Sequence, residues 1–360
     1  MGQVLQPALR RAEGPLGWLV AGAWCPMASL PRVRLGRRGP LVPRVALGLW
    51  QAGSRLWGRT GYREVSEVVA AAAERGLLFF DTAELYGMGR SEELLGRALR
   101  EHGVAGEAFV VTKVAGFRVT RRGVRGAVEA SARRLGRRPD LVLYHWPPPY
   151  PFTVCRAVRL LEEAVDGGLA GYMGVSNFNA SELLEAVGCA ARHEVVVDQV
   201  HYSLAHRVPE NRLLPAAAEL GVGVMAWGPL AKGALAGRRV ADNWARRLDP
   251  VFREAARDRV LQEALSRVSE ALGVARAVVA LAWVASKGVV PVVGARRRRH
   301  VEAAAEAAGL ELPGWASAAL DEASRRYLER WGRCYRELHW NRFIPAPVQW
   351  LLYRVVLRGV

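Results

Sequence analysis

Lysine is nearly missing from this chain of 360 residues: Lys113, Lys232 and Lys287 stand among 51 basic side chains. With 34 acidic residues the formal net charge is +17. Arginine so strongly favoured, and scattered along the whole length, reads as compositional bias rather than a recognition device. The densest basic run, Arg296–Arg299, is too short for a nucleic-acid arm, so no nucleic-acid partner is expected. Each remaining lysine gains in interest, because an ammonium does chemistry that a guanidinium cannot. Cysteine is scarce as well. Cys25, Cys155, Cys189 and Cys334 lie far apart, without Cys-x-x-Cys or metal-ligand spacing. That fits a reducing, cytoplasmic setting and argues against a disulfide framework or a metal site. No uninterrupted apolar run reaches the roughly 18 residues of a membrane span. The dinucleotide fingerprint G-x-G-x-x-G is also lacking, since Gly87-Met88-Gly89 and Gly221-Val222-Gly223 both want the third glycine.

What is present can build a large core: 51% of residues are hydrophobic and 24% charged, which excludes disorder as the main state. Residues 14–30 are almost wholly apolar after Arg10-Arg11 and resemble a weak signal peptide. Residues 1–30 are set apart as a leader, and the preferred reading takes Met27 as the true start. A chain begun at Met27 is therefore expected to fold and work. From residue 42 onward, short apolar runs alternate with segments of helical period. The runs are Val42–Trp50, Leu77–Thr82, Phe109–Lys113, Leu141–Trp146, Gly171–Ser176, Val195–Val200, Val222–Trp227 and Val289–Gly294. Eight strands, each followed by a helix, predict an α/β fold of the (β/α)8 TIM-barrel type over residues 31–312. Leu230 to Gly273 is a long insertion with a helix expected over Pro250–Leu272, and residues 313–360 form a C-terminal extension.

In such a barrel chemistry gathers where strands end. Asp81 ends the second run, Lys113 the third and His145 the fourth, and Tyr86 follows in the loop after the second. Singly, Asp81 could cap a helix, Lys113 could snorkel, His145 could be a core histidine and Tyr86 a loop aromatic. Together they form a proton relay. An ammonium beside a phenol lowers the phenol's pKa, a carboxylate keeps the ammonium charged, and a histidine orients a carbonyl. The set lacks a reductant, so a hydride-donating cofactor is required.

These residues resemble the aldo-keto reductase family. Phe80-Asp81-Thr82-Ala83-Glu84-Leu85-Tyr86-Gly87 with Ser91-Glu92 is similar to the family's signature, and Gly174-Val175-Ser176-Asn177-Phe178 to a second segment. Asp198-Gln199-Val200, Gly228-Pro229-Leu230 and Val293-Gly294-Ala295-Arg296 add further matches. The resemblance implies NADPH-dependent reduction of aldehydes or ketones to alcohols. It makes Tyr86 the general acid, Asp81 and Lys113 its tuning partners, and His145 the residue that orients the carbonyl. It also implies that Ser176, Asn177 and Gln199 bind the nicotinamide amide and that Trp227 stacks under the ring. Gly228, Leu230, Gly294, Arg296 and Arg297 would serve the rest of NADP. Gly228 stands where a serine is usual, Arg297 where a serine or threonine is common, and Ala303 and Ala304 where adenine-contacting residues often stand. The alternative is a nucleotide-binding regulatory subunit that serves a membrane partner. Trp50, Trp57, Trp146 and Pro147–Tyr150 suggest an aromatic substrate pocket. The tail from Tyr327 to Val360 mixes aromatics with arginines. It is expected to pack on the barrel, with contact to a membrane surface as the competing use.

Overall fold

In the computed structural model the described residues are 30–53, 60–241, 243–332 and 340–358. The leader and Trp57 lie outside them, as do Cys25 and Cys334. Ten strands occur there: β1 (Arg32–Arg34), β2 (Leu41–Pro43), β3 (Ala46–Gly48), β4 (Phe79–Asp81), β5 (Phe109–Val114), β6 (Leu141–Tyr144), β7 (Tyr172–Ser176), β8 (Val195–His201), β9 (Gly223–Trp227) and β10 (Val289–Gly294). β3 to β10 close into a parallel barrel in sequence order, with β10 pairing β3. This is the (β/α)8 fold.

The run Val42–Trp50 is not one strand. β2 pairs antiparallel with β1, and only β3 enters the barrel. The β1–β2 hairpin plugs the barrel's N-terminal end. Its Leu35 and Val42 pack with Phe79, Val111, Leu143 and Met225 in the interior, and Arg37 N donates to Gly221 O at 2.7 Å. Alternation alone cannot tell an end plug from a barrel strand when both bury apolar side chains.

The helices are α1 (Tyr62–Glu74), α2 (Arg90–Glu101), α3 (Arg121–Leu135), α4 (Val154–Asp166), α5 (Ala180–Cys189), α6 (Leu213–Leu220), α7 (Trp244–Leu248), α8 (Pro250–Arg257), α9 (Arg259–Leu272), α10 (Arg276–Ser286), α11 (Arg298–Gly309), α12 (Gly314–Trp331) and α13 (Ala346–Arg358). Their starts follow capping chemistry. Thr120 accepts from Gly123 N ahead of α3, and Asn179 with Glu182 forms a capping box on α5. The helix expected over Pro250–Leu272 is two helices. Asp258 sits extended between α8 and α9 and accepts from Leu261 N, so it starts a new helix.

Two large apolar clusters fill the space between barrel and helices, and α12 contributes Ala316, Leu320, Ala323 and Tyr327 to one of them. No single helix among the described residues is long and apolar enough to cross a membrane. The cysteines require a correction. α4 and α5 pack side by side and pair Cys155 with Cys189 as a disulfide, with Cα atoms 5.2 Å apart. A sequence separation of 34 residues carried no sign of this.

Candidate active site

Asp81, Lys113 and His145 leave the C-terminal ends of β4, β5 and β6, and Tyr86 opens a 3₁₀ turn, Tyr86–Gly89, beyond β4. Gly87 and Met88 in that turn take left-handed backbone, with φ of 57° and 55°. A Cβ on Gly87 would lie 2.9 Å from Gly53 backbone atoms, so only glycine fits the close approach that aims Tyr86 inward.

Lys113 is fully buried. Its Nζ donates to both Asp81 carboxylate oxygens at 2.7 Å, to Thr82 O at 2.9 Å and lies 3.1 Å from the Tyr86 hydroxyl. Burial by itself would drive the ammonium's pKa down; its interactions with Asp81 and Tyr86 together outweigh it, and the net shift is upward. The phenol departs from the sequence expectation. Burial raises the Tyr86 pKa by more than the Lys113 charge lowers it, so the free protein holds a protonated phenol. His145 is driven well below its ordinary pKa, first by burial and then by Lys113, and is neutral. Its ring lies edge-on to Tyr86 with centroids 5.9 Å apart. Its buried Nδ1 has no hydrogen-bond partner among the described residues.

The candidate nucleotide residues form a connected network on neighbouring strands. Ser176 Oγ donates to Gln199 O at 2.7 Å, and Gln199 Nε2 donates to Asp81 Oδ2 at 2.8 Å. Asn177, left-handed at φ 59°, donates to His145 O at 2.9 Å and accepts from Trp227 Nε1 at 2.8 Å. One side of the Trp227 indole is covered by the His201 ring, 4.2 Å away and nearly parallel. The residue is still 36% exposed, which leaves indole surface open for stacking. Gly228 follows at φ 69° beside His201, and Leu230 accepts from Gly233 N through its backbone oxygen.

At the end of β10, the strand beside β9, Gly294 is exposed, and a Cβ there would strike Gln51 Nε2 at 2.3 Å. The buried Gln51 Oε1 has no partner among the described residues. Arg296 Nε donates to Thr60 Oγ1 at 3.1 Å, while Arg297 is exposed. Ala304 is buried against the core and Ala303 only partly exposed, so neither offers a polar hand to an adenine.

Sequence reasoning missed Gln51, Thr60 and His201. His201 ends β8, and the strand-end rule that selected His145 applies to it equally. Thr60 carried no local signal, because its partner lies 236 positions away.

A model of the aldo/keto reductase family matches residues 44–325. The chain belongs to this family. An uncharacterised oxidoreductase of Mycobacterium tuberculosis (strain ATCC 25618 / H37Rv) is 35% identical over 297 residues, 79% of this chain and 90% of its own. A probable voltage-gated potassium channel subunit beta of Arabidopsis thaliana is 30% identical over 293 residues, 74% of this chain and 88% of its own. The crystal structure of an aldo/keto reductase from Klebsiella pneumoniae in complex with NADP and acetate matches with a TM-score of 0.66 and 31% identity, covering 81% of this chain and 95% of that one. The chain thus shares its barrel with a member of the family solved with NADP.

Proposed function

We propose that the protein reduces aldehydes or ketones to alcohols with NADPH. The observation that carries the reading is the buried Lys113 ammonium, locked by Asp81 and 3.1 Å from the Tyr86 hydroxyl. A buried lysine is costly unless it has work or a partner, and this one has a carboxylate on one side and a proton donor on the other.

The residues present fit the nucleotide. The open Trp227 surface suits a nicotinamide, Ser176, Asn177 and Gln199 suit its amide, and Gln51 Oε1, without a hydrogen-bond partner among the described residues, lies beside the exposed Gly294. Gly228 and Leu230 follow Trp227 beyond β9, and Arg296 and Arg297 suit charge-assisted contacts to a phosphate. NADPH, when bound, supplies the hydride. Tyr86 gives its proton to the carbonyl oxygen as negative charge develops there. Lys113 stabilises the phenolate left behind, and Asp81 keeps Lys113 charged. Neutral His145 positions the carbonyl by hydrogen bonding. The raised phenol pKa agrees with a group that holds its proton until an alkoxide forms.

Mixing the protein with NADPH and a panel of aldehydes tests this through loss of nicotinamide absorbance. Steady loss is expected, and Tyr86→Phe should cut turnover by at least about 100-fold while nucleotide binding survives. Near-normal turnover in that variant would remove Tyr86 from the chemistry. Tight nucleotide binding without turnover in the unaltered protein would favour the second reading, a regulatory subunit, which the similarity to the Arabidopsis channel subunit supports.

A further inference from the structure

The reductase reading uses the barrel mouth and leaves one surface without a role: the outer side of α13. The inner side of this helix is tied to the mouth. Gln349, 2% exposed, accepts from Trp146 Nε1 at 3.1 Å, and Ala346 packs against the Phe117–Trp146 cluster. Just upstream, Arg342 pairs with the buried Glu182 at 2.7 Å, and its backbone oxygen accepts from Tyr150 N at 2.8 Å.

The opposite side reverses the usual pattern of an amphipathic helix. Val348, Leu351 and Leu352 recur at i, i+3 and i+4, the spacing of a core-facing stripe, and all three are exposed, Leu351 at 56%. Trp350, one turn beyond Ala346, is exposed as well, and the Arg354 guanidinium lies 4.5 Å above its ring. Just before α13, Phe343 is 79% exposed and lies ring to ring with the exposed Tyr150 at 5.6 Å. An apolar stripe turned to water marks an interaction surface.

Charge selects the occupant. From Leu338 to Val360 the chain has no Asp or Glu; Arg342 is spent on Glu182, Arg354 and Arg358 follow on α13, and the whole molecule carries +17. A solvent-facing apolar stripe bordered by Arg354, with an exposed tryptophan on the same helix of a strongly cationic protein, matches the boundary between headgroups and acyl chains of an anionic bilayer. We propose that the outer side of α13 is a docking surface that seats this protein on anionic phospholipid membranes, with Leu351 and Leu352 entering the acyl boundary.

The test is co-sedimentation of the full chain with vesicles of phosphatidylcholine alone or of phosphatidylcholine mixed with phosphatidylglycerol. The unaltered protein should pellet with the mixed vesicles and stay in solution with the neutral ones. Leu351→Ser with Leu352→Ser keeps every charge and should weaken partitioning at least about tenfold, given the transfer free energy of two leucines. The thermal midpoint should not move, because both side chains face solvent. Phe343→Ser is an independent second variant and should weaken partitioning in the same direction. Three results overturn the proposal. The first is failure of the unaltered protein to pellet with anionic vesicles. The second is pelleting of both variants as strong as its own, which makes the attraction bulk charge alone. The third is a dimer that the double variant abolishes, without vesicle binding, which assigns the surface to a second copy of the chain.

Discussion

The Asp81–Lys113 pair is the residue-scale feature on which the site turns. Both side chains are buried, and the ammonium makes four short polar contacts. Asp81→Asn would leave that charge without its counter-ion, and breaking a buried pair costs about 3–5 kcal/mol. Adding Lys113→Met removes the stranded charge, so the double variant should be more stable than Asp81→Asn while remaining without carbonyl turnover. Chemical denaturation of the two variants beside the parent measures this, and a double variant less stable than the single one would contradict it. The pair's members were legible in the sequence because each is an ionisable residue ending an apolar strand. Thr82 O was not, since a backbone acceptor carries no residue-type signal.

Close helix packing supplies the element-scale argument. α2 and α3 approach at Gly96, where a Cβ would lie 2.3 Å from Leu135 O. That atom is backbone and cannot swing aside, so Gly96→Ala should destabilise by about 1–3 kcal/mol as the helices are pushed apart. Gly126, within α3, has nothing within 4 Å of its Cβ position. Gly126→Ala should therefore stabilise, by about 0.5–1 kcal/mol from helix propensity. Opposite shifts of the urea midpoint are the expected result; shifts of the same sign would mean the approach at Gly96 is not tight. Helix spans were readable from apolar period, but breaks were less so. Asp258 divides α8 from α9 by capping, a signal present in the sequence that the continuous apolar period around it obscured.

Acid sensitivity belongs to the whole molecule. His145 and His201 are held well below their ordinary pKa, and His206 and His300 are lowered to about 4, burial being the largest cause in each. An unfolded histidine titrates near 6.5. Below that pH the unfolded chain takes up protons that the folded chain refuses, so stability contributed by these residues is full above about pH 7 and falls as the pH drops towards about 4. The thermal midpoint should decline from pH 7 to pH 5, a range above most carboxylate titration. A level or rising midpoint there would show that these histidines are not held neutral.

Taken by itself, the sequence determined the eight-fold alternation, the four ionisable residues at the rim and the family segments around them. Each of these is written locally, in hydrophobic period or in residues a few positions apart. The tertiary structure decided what depends on distant neighbours. It set the direction of the Tyr86 pKa, because desolvation there exceeds the pull of Lys113. It split the first apolar run into an end plug and a barrel strand, and it paired Cys155 with Cys189 across two helices. It also turned the apolar stripe of α13 outward, although the same i, i+3, i+4 spacing elsewhere faces the core. Spacing states only that an apolar stripe exists; which side meets protein and which meets solvent follows from the contacts of Gln349 and Ala346 with the barrel mouth.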